Sequence, residues 1–199
     1  MNIGNYADEE IIKLKNYYQS KTTTFHLLKD EIHIRGKKVR FLPQLLFDGN
    51  LTILVPDYFI DMPENIAKVR YISNYRPPIL LTSPSYDENL GFHLLNRNAY
   101  QEYNKLDELI KKMMESVLQT APETVFYGKG SFQPEKAEGM WFEYKNFTLD
   151  DETYNLQLLV FTDEHLLAGT FNCRMCFYDE WKEPILKSLD YIKIGRKED

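Results

Sequence analysis

Four histidines, two cysteines, a lysine between glycines and a short run of acids are the groups in this chain with chemistry to offer. His26, His33, His93 and His165 fall in strand-like or turn sequence. No two of them have the i, i+4 spacing that brings a metal-binding pair onto one helix face, and none neighbours a nucleophile elbow. Each reads as an ordinary surface or packing histidine. Cys173 and Cys176 have the offset of a redox or zinc half-site. In a strand, positions three apart point to opposite faces, so the two sulfurs diverge. Zinc would need two more ligands, and no second Cys or His pair stands at ligand spacing. Both thiols read as small buried hydrophobes at a strand end.

Gly128-Lys129-Gly130-Ser131 invites a phosphate-binding reading. A P-loop needs its helix to start at once, so that N-terminal amides face the phosphate. Phe132-Gln133-Pro134 and more strand follow instead, which fits a β-bulge or hairpin loop. No cofactor motif is present. The acids Asp57, Asp61 and Glu64 surround Tyr58 and Phe59, two aromatics that read as exposed. Carboxylates do acid–base work only in a cleft that shifts their ionisation. A solvated loop with a capping acid is the plain account. The functional one is recognition, since aromatics and charges on an ordered loop suit a protein partner. Arg70, Tyr71 and Arg76 follow closely and either extend the patch or pair with its acids.

The chain has 199 residues and a formal charge of −6, with both signs mixed along it. That length fits one domain, 1–199, burying roughly 70% of its unfolded surface without metal or disulfide. A nucleic-acid binder would show a basic stripe. Here the basic runs are Arg35-Gly36-Lys37-Lys38, a hairpin tip, and the tail Lys193 to Lys197. No secretory leader is visible at Met1 to Glu10, and no stretch nears the ~20 apolar residues that cross a bilayer. The expectation is a cytoplasmic protein that neither binds nucleic acid nor inserts into a membrane.

The elements that must position these groups follow from period. Met140, Phe142 and Tyr144 alternate, then Tyr154, Leu156, Leu158 and Val160, then Leu167, Phe171, Cys173 and Met175. Period two places each set on one face of a strand, giving an antiparallel meander. Trp181, Ile185 and Leu189 then fall four apart, a helix face. Trp141, on the opposite face from Phe142, is read as covering a helix. Upstream, Asp8 caps a helix carrying Ile11, Ile12, Leu14 and Tyr18. Lys21 to Val55 is β-rich, with a hairpin turn at Asp48-Gly49 and an edge position or a break at Pro43. Pro56 to Pro63 is a loop, and a short helix runs from Pro63-Glu64 to about Ile72. Ile79 to Leu81 pairs with Asn89 to Leu95. Tyr100 to Gln119 is a helix with a stripe of Tyr103, Leu106, Leu109, Ile110, Met113, Val117 and Leu118. Strands arrive in runs, so the fold class is α+β, a central mainly antiparallel sheet flanked by helices.

Three segments carry a resemblance: the loop Val55-Pro56-Asp57-Tyr58-Phe59-Ile60-Asp61-Met62 leading to Arg76-Pro77, the strand end Gly169-Thr170-Phe171-Asn172-Cys173, and Trp181 to Leu189 followed by Tyr191-Ile192. In these the chain resembles the PsbP/Mog-like fold, shared by photosystem oxygen-evolving subunits, a Ran-binding nuclear-transport factor and small bacterial proteins. The resemblance implies a 51–194 core, with 1–50 as an added N-terminal helix and β-hairpin. It implies function only by analogy.

The functional expectation is a non-catalytic binding or adaptor protein with an unidentified protein partner, using Asp57, Tyr58, Phe59, Asp61, Glu64, Arg70 and Arg76. One alternative is a small-ligand binder or enzyme with a cleft beside the sheet, using His93 or the acidic loop. Another is an acidic, immunity-type protein that neutralises a basic toxin or nuclease.

Overall fold

The computed structural model describes Ile11 and residues 26–72, 76–100, 102–103, 105–135, 137–147 and 151–195. Apart from Ile11, the expected first helix lies outside the described residues. The chain then runs β1 (Ile32–Ile34), β2 (Lys37–Val39), β3 (Phe41–Leu46), β4 (Leu51–Pro56), β5 (Ile60–Asp61) and helix α1 (Glu64–Arg70). Next come β6 (Ile79–Thr82), β7 (Asn89–Asn96) and helix α2 (Leu106–Thr120). The last third holds β8 (Val125–Phe132), β9 (Glu138–Phe147), β10 (Glu152–Phe161), β11 (His165–Arg174), helix α3 (Tyr178–Leu189) and β12 (Lys193–Ile194).

A seven-stranded sheet of order β5-β6-β7-β11-β10-β9-β8 forms the centre, and every pairing in it is antiparallel. The fold is therefore the expected α+β arrangement. Alternation decides what each face of the sheet meets. Tyr154, Leu156, Leu158, Val160, Leu167, Phe171 and Cys173 face the main core, where Trp181, Ile185 and Leu189 of α3 cover them. Phe142, Tyr144, Leu159 and Leu166 face the other way, onto Leu106, Leu109 and Ile110 of α2. A second sheet, β12-β4-β3, and the β1–β2 hairpin close the main core from the N-terminal side. Pro43 sits on β3, an edge strand, where its missing N–H costs no ladder bond.

Several local expectations need correction. The loop from Pro56 to Pro63 contains the edge strand β5, which pairs with Leu81 and Thr82. Tyr191 and Ile192 are a turn, and the terminal strand is Lys193–Ile194, paired with Leu51 and Thr52 of β4. Met175 begins a 3-10 turn rather than ending the strand. Cys176 lies in the same turn and is exposed, whereas Cys173 is buried. His26 is in a turn, and His165 opens β11. Leu118 leaves the apolar stripe of α2 and is exposed. Trp141 is half-buried against the main core. It lies flat over Gly130, where a Cβ would come within 2.8 Å of the indole. That close approach, with a bulge between Phe126 and Gly128, accounts for the glycine-flanked Lys129.

Candidate functional site

The stretch from Asp57 to Arg76 does not form one patch. Its described side chains fall in three places. At the β4–β5 turn the Phe59 amide donates to the Pro56 carbonyl at 3.0 Å. That turn sends the Phe59 ring inward, 5.9 Å from the Trp181 ring. Tyr58 meets Phe59 edge-on at 5.3 Å and is half-buried. The expectation that both aromatics are exposed is thus corrected. They fall where the chain leaves one sheet for the other, and apolar surface there is drawn into the core.

Asp57 and Tyr58 line a cavity of about 530 Å³ beneath the β1–β2 hairpin, together with Arg35, Lys37, Ser85 and Glu88. Asp57 accepts a hydrogen bond from Arg40 Nε at 3.3 Å. Arg35 is at the hairpin tip, where it and Gly36 both adopt positive φ, 53° and 70°. That pair of left-handed residues is what a two-residue turn between twisted strands demands. The turn aims the Arg35 guanidinium at Glu88, 2.8 Å from its carboxylate, and at Asp87, 3.1 Å away. The guanidinium also lies 3.8 Å above the Phe177 ring. Its backbone amide donates to Glu180 of α3. Glu88 is only 1% exposed. A carboxylate removed from water needs a paired cation, and Arg35 supplies it. Burial, with Glu88 close by, pushes the Tyr58 phenol far above its ordinary range, so it stays protonated.

Asp61, Glu64 and Arg76 lie on the other side of β5. They line a groove of about 630 Å³ floored by Met62, Ala67 and Leu80. Glu64 is shared between Arg76 at 3.1 Å and Lys68 at 3.6 Å. One arginine of the expected set therefore pairs with one of its acids. Arg70 is exposed in the last turn of α1, where positive charge complements the helix dipole. Tyr71 also lines the groove, and its hydroxyl accepts a hydrogen bond from Asn172 at 3.2 Å. Asn172 in turn accepts from Asn89 at 2.9 Å, which accepts from Thr82 at 2.7 Å. This buried chain ties the groove wall to β6, β7 and β11. The stretch also leaves large apolar side chains in water: Ile60 is 45% exposed, Val69 73% and Ile72 86%.

Sequence reasoning passed over the most buried charges. Glu88 lies between β6 and β7, and its partner lies far upstream at Arg35. Glu143 reads as the solvent face of β9, yet it is sealed under α3. Its carboxylate accepts from Lys182 Nζ at 2.6 Å and from the Tyr154 hydroxyl at 2.9 Å. One signal for it existed, an acid set among aromatics within Met140 to Tyr144.

Among the described residues, no three His, Cys, Asp or Glu side chains are grouped to hold a metal ion. No helix among them is long and apolar enough to cross a membrane.

No family model matches the chain, and no curated protein matches it closely in sequence. Solved structures share its fold. CyanoP, the PsbP of Synechocystis sp. PCC 6803, aligns with a TM-score of 0.58 at 11% identity, over 77% of this chain and 92% of that one. The Ran-binding protein Mog1p of Saccharomyces cerevisiae aligns with 0.56 at 11% identity, over 79% and 97%. LpqN of Mycobacterium tuberculosis, described as involved in cell envelope biogenesis, aligns with 0.52 at 11% identity, over 81% and 94%. Identities this low establish the architecture alone: the chain has the PsbP/Mog-like fold.

Proposed function

We propose that this chain is a non-catalytic protein-binding module whose partner surface is built by β5, α1 and the groove between them and β6. The carrying observation is the exposure of Ile60, Val69 and Ile72 within one short stretch that also bears Asp61, Glu64, Arg70 and Arg76. Apolar side chains among charges of both signs, beside a groove with an apolar floor, make the composition of a protein interface. Mog1p, of the same fold, is a Ran-binding protein, which supports a partner by analogy only. We place that partner in a reducing compartment such as the cytoplasm, because Cys173 and Cys176 are both free thiols. Residues 1–50 are, in this proposal, an addition to a 51–194 core.

Affinity capture tests the surface. Wild type is compared with Val69→Glu/Ile72→Glu and with Leu118→Glu, a control on α2; all three positions are exposed, so each variant should fold. The expected outcome is a protein held by wild type and by the control but lost from the double variant. Equal capture by all three would refute the proposed surface.

A further inference from the structure

The basic run Arg35-Gly36-Lys37-Lys38 stands out in a chain of net charge −6, and the partner surface makes no use of it. Its side chains line the cavity under the β1–β2 hairpin. Most charges there are already matched. Glu88 takes Arg35, Asp57 takes Arg40 and Lys38 takes Glu31. Ser83 and Ser85 pair with each other through their hydroxyls at 3.2 Å.

What remains is a set of donors. Arg35 makes both its ion pairs through Nη1, leaving Nη2 and Nε unengaged among the described residues. Lys37 has no ion-pair partner among them, and the Tyr58 hydroxyl has no hydrogen-bond partner among them. The carboxylates that share the cavity, Glu88 and Asp57, are each already paired with an arginine. The buried Glu88 holds the guanidinium in place rather than competing for a ligand, and Phe177 fixes its plane. A volume of about 530 Å³ falls within the usual range for small-molecule sites.

We propose that this cavity binds a small anionic molecule, bearing phosphate or carboxylate, through Lys37, the outer donors of Arg35 and the Tyr58 hydroxyl. The residues of the added N-terminal hairpin supply both cations, so the addition creates the site. The proposal does not depend on the partner surface, which lies across β5.

Isothermal titration calorimetry of the full chain with inorganic phosphate, and separately with malonate, tests it. Wild type should bind at least one of the two saturably at millimolar concentration or below. Lys37→Ala and Tyr58→Phe should each weaken that binding by roughly tenfold, about the value of one charge-assisted hydrogen bond. Lys68→Ala, in the other groove, should bind as wild type does. Circular dichroism confirms that each variant is folded. Preference for phosphate would assign a phosphate-bearing ligand, and preference for malonate a carboxylate-bearing one. Absence of saturable binding by wild type, or unchanged binding by both cavity variants, would overturn the proposal.

Discussion

Glu88 and Glu143 are equally buried, each 1% exposed, and each is paired with one cation. Their surroundings differ completely. Glu143 is enclosed by the packed layers: Lys182 comes from α3, Tyr154 from β10, and the Tyr178 ring lies 4.7 Å from that of Tyr154. Each carboxylate oxygen of Glu143 has a donor, and Glu143 lines neither the cavity nor the groove described above. Glu88 instead faces a cavity and receives its cation from a hairpin tip outside the central sheet. The first pair locks α3 onto the sheet. The second secures a hairpin and arranges donors at a cavity wall. Burial of a charge therefore does not identify a site. The element that brings the counter-charge, and the space left beside it, do.

The comparison breaks first at Lys182. Lys182→Met leaves the Glu143 carboxylate buried without its cation, and stability in urea denaturation should fall by about 3–5 kcal/mol. Adding Glu143→Gln should restore a large part of that loss, because the uncompensated charge is then gone. Overpacking the same layer comes next. Gly130→Val drives a side chain into the Trp141 indole and should cost about 1–3 kcal/mol, with a shift in tryptophan fluorescence.

Arg35→Met should cost less than Lys182→Met, about 1–2 kcal/mol, since the Arg35 side chain is 33% exposed and water screens its pairs. Its signature is local: hydrogen exchange should accelerate in β1 and β2 and stay unchanged in β9 and β10. A loss as large as that of Lys182→Met would erase the distinction between the two carboxylates.

The smallest effect lies in acid. A hydrogen bond from Lys129 holds the Asp107 carboxyl below its usual range, and the Glu152 amide together with Arg174 does the same for Asp151. Carboxyls lowered in the folded state stabilise it above their unfolded value of 3.8, and that contribution fades as pH drops through the folded values. Asp107→Asn and Asp151→Asn should therefore lower neutral-pH stability slightly, converge with wild type in acid, and so flatten the decline below about pH 4 by the same small amount.

The meander and the last helix were legible because their signal is local. Tyr154 to Val160 alternate strictly, and Trp181, Ile185 and Leu189 repeat at four, so each buried face could be read from a single segment. The turns of the loop were not legible. Nothing in Asp57-Tyr58-Phe59-Ile60 says that Phe59 turns inward while Ile60 turns outward, because tertiary packing against Trp181 decides it. Glu88 was missed for a similar reason, since its partner Arg35 comes from a different hairpin. The candidate residues were thus found as a stretch, and their separation into a cavity and a groove emerged only from topology.

Hydrogen exchange by mass spectrometry on the chain, free and bound to the protein it captures, decides where recognition occurs. Protection on binding should concentrate in residues 60–72, spanning β5, α1 and Ile72, with the β1–β2 hairpin and α2 unchanged. Protection confined to other segments, with 60–72 exchanging as in the free chain, would contradict the proposed surface.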